Sequence, residues 1–545
     1  MLGHAMECNV RTPEERRASA RCAVGIAAAL LAAAPAARAQ EQATQPGSCA
    51  AAIRAVLTDI AARDLDTSAG PPLNAFLTLN PSAIAQADAL DRRTAAGDPR
   101  GALFCVPVAV KDNFNTYDMP TTVGSLALIG NQPPADAPFV ARLRDAGAVI
   151  VGKTNMDEFA MGIRGLSGAG GRVGNAYDTT QSAGGSSSGS AAAVGTGYVP
   201  FALGSDNCGS LRLPAVYNGA VTLRASYGRF DTHGIFPIGF ANGVPGVIAR
   251  DTATLRAALA VAGDGWRADV AGDLRGRRIG IVRSFDRKDP WLPADADTQK
   301  LFSQAIALMR NAGADIVEDI RLDDFDAKLG LGFLKGFAGK VDAAFATFPG
   351  TRRDWRDVCT SERIRPEWSA KECVTVGASS ARQERQAVAQ IAANQRKVVA
   401  LMDRLRLDAL LYPVDGRGGA RSDESPDITC FIASASGLPA TAFPVGLDAR
   451  GMPVGLELLG RPQSDETLVA MMAALEVARG PLPSPRRGAA SGALARLDIA
   501  RQNELRLRLG WRAFHSRRGT DLGALAPDKF RALTEDLVKS VASER

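Results

Sequence analysis

A chain of 545 residues, 46% hydrophobic and 22% charged, has enough apolar material for a large core, and the absence of long Gln, Asn or Pro runs excludes an intrinsically disordered protein. The formal net charge is +6, of which residues 1–39 carry +2 (5 basic, 3 acidic) and residues 481–545 carry +6 (13 basic, 7 acidic), so the middle of the chain is about −2. The basic excess belongs to the two ends and reads as solvated surface; no nucleic-acid partner is expected.

Arg16, Arg17 and Arg21 precede the apolar run AVGIAAALLAAAPAA, and Ala37-Arg38-Ala39 places small residues at a cleavage site before Gln40. This is the pattern of a removable export signal over residues 1–39, cut after Ala39, and it predicts a periplasmic or secreted protein. The run is short for a membrane span and no later segment is longer and as apolar, so stable membrane insertion is not expected.

The next segments alternate in type. CAAAIRAVLTDIAARD has Ile53, Val56, Leu57 and Ile60 at helical spacing, LNAFLTLN alternates like a strand, and a helix is predicted from Ala83 to about Ala95. ALFCVPVAV is a buried-strand run ending at Lys111, and FVARLRDAGAVIVGKTN reads as helix, glycine turn and strand. Farther on, VPFALGSDN, RRIGIV, ADIVE, LDALLYP, ATAFPVG and VGLELLG are predicted strands, interleaved with helices such as TQKLFSQAIALMRNAG and ETLVAMMAALEVA. The alternation implies an α/β layer fold. The stretch from Gly480 to Gly492 is rich in Pro, Gly, Ser and Arg and marks a break. Phe530, Leu533, Leu537 and Val541 then trace an amphipathic helix. The organisation read from this is a domain over residues 40–480 and a basic, largely helical tail over 481–545.

Six of the eight cysteines lie beyond residue 39: Cys49, Cys105, Cys208, Cys359, Cys373 and Cys430. None forms a CxxC metal knuckle, and three histidines are too few to favour a His-ligated metal, so no metal and no cofactor is expected. Cys359 and Cys373 flank a polar segment that a disulfide would close. Cys208 is expected to be a buried structural thiol.

The stretch SAGGSSSGSAAAVGTG, from Ser182 to Gly197, admits several readings. A flexible linker conflicts with the helix-forming Ala run. A phosphate-binding loop would need a lysine after the glycines. Gly185-Ser-Ser-Ser-Gly189 matches a Gly-x-Ser-x-Gly elbow with Ser187 at its centre, but that elbow follows a strand and needs a histidine, and beyond residue 39 only His233 and His515 remain. A neutral lysine can replace histidine as base where burial removes its charge. Lys111, at the carboxyl end of a buried strand, is so placed.

VPVAVKDNFNTYDMPTTVGS, GAVIVGKTNMDEFAMG, GNAYDTTQSAGGSSSGSAAAVGTG and GSDNCGSLRLPAVYNG, in this order, resemble the amidase signature family. The resemblance runs from about Leu73 to about Ala478. It implies a large twisted mixed β-sheet covered by helices on both faces, and a Ser–Ser–Lys triad of Lys111, Ser186 and Ser210. It further implies a cis peptide before Ser186 and an oxyanion hole from the backbone of Asn207, Cys208, Gly209 and Ser210. Ser187 would orient the lysine, and Asp206 and Arg212 would brace the nucleophile loop. The chain departs from the family in having Ser188 where a second glycine pair usually begins, and Asn207-Cys208 where Thr-Gly is usual.

The implied activity is hydrolysis of a small-molecule or peptide amide through an acyl-enzyme, with a homodimer left open. Two other readings stay beside it: a glutaminase-type amidotransferase component that works with partner subunits, and a non-catalytic periplasmic binding protein on the same scaffold, suggested by the altered Asn207-Cys208 loop. The region from about Trp266 to Ser422, together with the N-terminal segments, is where such pockets vary, so the substrate is not written in the motifs.

Overall fold

Side chains alternate along the central strands, and the alternation sorts them onto two apolar faces. In the computed structural model, which describes residues 47–237, 242–267, 269–270, 272–326, 336–347, 350–364, 370–376, 378–421, 426, 429–485, 490–517 and 526–543, Val108, Val110, Ile150, Phe201 and Leu203 fall in one buried cluster. Their neighbours Ala109, Val149, Val151 and Ala202 fall in another. The expected export signal, residues 1–39, lies outside the described residues.

The strands are β1 (Phe76–Leu79), β2 (Pro107–Lys111), β3 (Val149–Thr154), the short hairpin β4 (Leu166–Ser167) and β5 (Gly171–Arg172), β6 (Phe201–Asp206), β7 (Val221–Arg224), β8 (Val244–Ala249), β9 (Arg278–Phe285), β10 (Asp315–Leu322), β11 (Ala409–Pro413), β12 (Ala440–Leu447) and β13 (Pro453–Gly460). All but the hairpin form one 11-stranded sheet in the order β1-β3-β2-β6-β8-β7-β12-β13-β11-β9-β10. It is mixed: β3, β2 and β6 run parallel to one another, as do β11, β9 and β10, while the strands between pair antiparallel.

Helices cover both faces. One carries α1 (Cys49–Arg63), α2 (Ala83–Ala95) and α4 (Ser188–Gly195), through Ile53, Leu57, Ala83, Ala87 and the triplet Ala191–Ala193. The other carries α3 (Pro138–Asp145), α6 (Thr252–Ala262), α7 (Ala296–Asn311) and α13 (Asp465–Arg479), through Phe139, Leu255, Phe302 and Leu468. Asp251 and Asp295 start α6 and α7 by accepting the N–H of Thr254 (2.7 Å) and Thr298 (2.9 Å), which satisfies helix-end donors. No described helix is long and apolar enough to cross a membrane.

Between β10 and β11 lie α8 (Phe337–Thr347), α9 (Trp355–Cys359), α10 (Ala370–Val376) and the 25-residue α11 (Ala381–Leu405). Cys359 and Cys373 are joined by a disulfide, as the polar segment between them suggested. After β11 comes the single turn α12 (Phe431–Ser434), and after α13 the chain ends in α14 (Gly492–Ala495), α15 (Ile499–Arg517) and α16 (Pro527–Ser543). Leu505, Leu509, Ala513, Phe530, Leu537 and Val541 from these last helices bury against Leu65. On the outermost strand β1, the Asn503 amide donates to Leu79 O (2.9 Å) and accepts Leu79 N–H (2.7 Å), so α15 occupies a sheet edge that would otherwise be open. Arg506 pairs there with the buried Asp64 and donates to Phe76 O (3.0 Å).

Candidate active site

Because β2 and β6 are parallel neighbours, their carboxyl ends fall at the same edge of the sheet. That brings Lys111, the last residue of β2, beside Ser205 and Asp206, the last of β6. Lys111 continues the side of β2 that carries Ala109, the side under α4. It is fully buried, and its Nζ donates to Ser186 Oγ (2.8 Å) and Ser205 Oγ (2.9 Å). Burial lowers the amine to about 7 against the opposing pull of the Asp157 and Asp206 carboxylates. Burial thus favours the neutral amine far more than in a solvent-exposed lysine, and a neutral amine carries a lone pair that can accept a proton.

Ser186 is delivered by the turn before α4. Gly184 adopts a positive φ of 71°, and the Gly185–Ser186 peptide is cis. A Cβ on Gly185 would run into the Asp157 carboxylate, so no side chain fits there. That carboxylate is fixed in turn by the backbone N–H groups of Gly165 (3.0 Å), Leu166 (3.2 Å) and Arg164 (3.3 Å). Ser186 O also accepts the Asp157 N–H (3.3 Å). The segment therefore meets α4 as a turn locked from below.

Ser187 makes no hydrogen bond to Lys111. Its hydroxyl clasps the backbone of Ser205, accepting from N and donating to O, both at 3.2 Å. The hydroxyl that meets the lysine beside that of Ser186 belongs to Ser205, itself held by Asn113 Nδ2 (3.1 Å). The expectation that Ser187 orients the amine is corrected to an indirect role: it fixes the strand end that bears Ser205.

Ser210 lies in the loop between β6 and α5 (Arg212–Tyr217), 4% exposed. Its carbonyl accepts the N–H of Ser187 (3.1 Å), which places its backbone directly against the Ser186–Ser187 turn. Its hydroxyl bonds to no described residue. Asp206 organises the loop from inside. Its carboxylate accepts the N–H of Gly209 (3.1 Å) and Leu211 (3.0 Å) and pairs with Arg212 (3.1 Å) and Arg224 (3.0 Å). Burial would raise this carboxyl, but the two guanidinium groups outweigh it and hold it well below the usual carboxylate range. Arg212 reaches on to Glu457 of β13 (2.6 Å). All four charged side chains are buried.

Two oxyanion-loop expectations change. The Gly209 N–H is engaged by Asp206, so Gly209, at φ 84°, makes the turn and offers no free donor. The N–H groups of Asn207, Cys208 and Ser210 have no acceptor among the described residues and remain available. Cys208 is not a buried thiol: it is half-buried and bonded to Cys430, which immediately precedes α12. Cys49 and Cys105 form a third disulfide. Asn113 and Ser205 stand inside the quoted motifs but carry no implied role there, and Arg224 and Glu457 look like ordinary strand residues; pairing across the sheet brings all four to the site.

A family model described as Amidase matches residues 64–469. The chain belongs to the amidase signature family. Among solved structures it is similar to native peptide amidase from Stenotrophomonas maltophilia, at 31% identity and a TM-score of 0.72, covering 81% of this chain and 96% of that one. Among curated amidase-family relatives it is similar to a glutamyl-tRNA(Gln) amidotransferase component from Acidothermus cellulolyticus (42% over 281 residues, 49% of this chain and 54% of that protein). It is also similar to the corresponding amidotransferase component from Rhodopirellula baltica (40% over 267 residues, 46% and 52%). The chain spans about half the length of these curated relatives.

Proposed function

We propose that this protein is an exported amidase that hydrolyses a carboxamide to a carboxylate and ammonia or an amine. The observation that carries the reading is the buried Lys111 amine, poised near neutrality and bonded to Ser186, with Ser210 tied against the same turn. Ser210 attacks the amide carbonyl and passes its proton through Ser186 to Lys111. The developing oxyanion is met by the free N–H groups of the Asn207–Cys208 segment and Ser210. The proton returns to the leaving nitrogen, and water hydrolyses the acyl-enzyme. Similarity to a peptide amidase over most of both chains supports a peptide or small-molecule amide as substrate. Three disulfides and the signal-like first 39 residues support an oxidising compartment.

Ser210 labelling by a fluorophosphonate probe, followed by turnover of a small amide panel, tests this. An adduct on Ser210 and ammonia release are expected; an unreactive Ser210 would favour the binding-protein reading. The second reading, a glutaminase-type amidotransferase component, draws on the curated relatives. It predicts that glutamine hydrolysis appears only with co-purifying subunits.

A further inference from the structure

The nucleophile loop is secured unevenly. Its second half is tied by hydrogen bonds: Gly209 and Leu211 donate to Asp206, and the Ser210 carbonyl accepts from Ser187. Its first half has no such ties. The N–H groups of Asn207 and Cys208 have no acceptor among the described residues, and the Asn207 side-chain oxygen is buried without a partner. What holds this half is covalent. Cys208 is bonded to Cys430, and the far side of that bond is itself anchored, because Arg212 donates to Cys430 O (3.4 Å) and to Ser434 Oγ (3.1 Å) of α12. The two walls are close: a Cβ on Gly209 would stand 3.2 Å from Cys430 Cβ. The disulfide therefore does for Asn207 and Cys208 what Asp206 does for Gly209.

We infer that Cys208 and Cys430 are positioning residues, whose bond holds the free Cys208 N–H on the developing oxyanion and makes turnover depend on the oxidation state of the pair. The inference rests on the amidase reading above. A misplaced oxyanion donor is costly, since removing one lowers kcat on the order of 10²–10³-fold. The switch needs only a dithiol reductant: it gives two electrons and two protons to the Cys208–Cys430 bond, becomes a cyclic disulfide, and leaves two protein thiols. Cys208 is half-buried where Cys430, Cys359 and Cys373 are buried, so its end of the bond is the more open one to a reductant. Cys105 is also half-buried and needs its own control.

The test compares the wild type, Cys430→Ser and the paired variant Cys49→Ser/Cys105→Ser, each before and after treatment with dithiothreitol, with kcat and KM measured on an amide the wild type turns over. Intact mass after alkylation reports which bonds opened. We expect Cys430→Ser to lose kcat by about tenfold or more with KM changed little, and to be indifferent to reductant. We expect the reduced wild type and the reduced paired variant to fall to the same level and to recover on reoxidation. A merely structural bond would shift the melting temperature but not kcat at 25 °C. Wild-type kcat in Cys430→Ser, or undiminished kcat in wild type whose Cys208 is alkylated, overturns the proposal; should Cys430→Ser fail to fold, the reduced wild type decides alone. A wild type inert toward every amide and toward the fluorophosphonate probe overturns the amidase reading and this one with it, whereas an active wild type matched by Cys430→Ser sinks only this one.

Discussion

A buried amine whose affinity for a proton is lowered by desolvation makes a site's protonation visible in its kinetics. In the proposed relay Lys111 must be neutral to accept the Ser186 proton, so kcat/KM should rise with pH through about 7 and level off above it, with the limb reporting the free enzyme. The same shift has a stability sign. The folded pKa lies below the 10.5 of an unfolded lysine, so the unfolded chain binds more protons and the fold loses stability as pH falls from above 10 toward 7. Lys111→Met removes that term, and urea midpoints at pH 9.5 and 6.5 should show the variant gaining on wild type at the lower pH. Ser210→Ala should abolish turnover while leaving the fold. Ser186→Ala, which deletes the relay hydroxyl, should lower kcat by about 10²–10⁴-fold. A Ser186→Ala enzyme of wild-type kcat would remove Ser186 from the relay.

At the scale of elements, the loop that carries Ser210 depends on charges drawn from three strands and a helix. Arg212→Met leaves Asp206 and Glu457 buried beside a shortened network, and breaking a buried ion pair costs about 3–5 kcal/mol, to be read from denaturant unfolding. This network also marks where sequence reading stops. Helix α2 and strand β2 were legible because their apolar periodicity and their Pro and Gly boundaries are local properties. Lys111, Ser186 and Ser210 were legible because whole motifs surround them. Arg224 and Glu457 were not, because each looks like one polar residue in a strand until β7, β12 and β13 pair and carry them toward Asp206. Ser205 was hidden in the same way: the lysine reaches it across the β2–β6 register, not along the chain. Strands β7 and β8 and the polar helix α11 went unannounced, since α11 buries only five of its 25 residues, Ala387, Asn394, Val398, Leu401 and Met402.

At the scale of the whole molecule, distant parts of the chain are sewn together. The Cys208–Cys430 bond spans 222 residues, and the chain-entropy account gives closure of so long a loop about 5 kcal/mol of stabilisation. Cys430→Ser should therefore lower the denaturant midpoint well beyond what loss of the 14-residue Cys359–Cys373 closure does. Deletion after Gly480 should be severe: it removes α14–α16, uncovers Leu65 and leaves the Asp64 carboxylate buried without Arg506, so a steep fall in melting temperature is expected. An unchanged melting temperature would show that the tail is dispensable. The Asn503 and Arg506 contacts to β1 carry one more consequence. Synthesis runs from the amino end, so β1 emerges early and must wait for more than four hundred further residues before its edge is closed. A chain truncated before α15 would leave that edge exposed as a template for pairing with other chains.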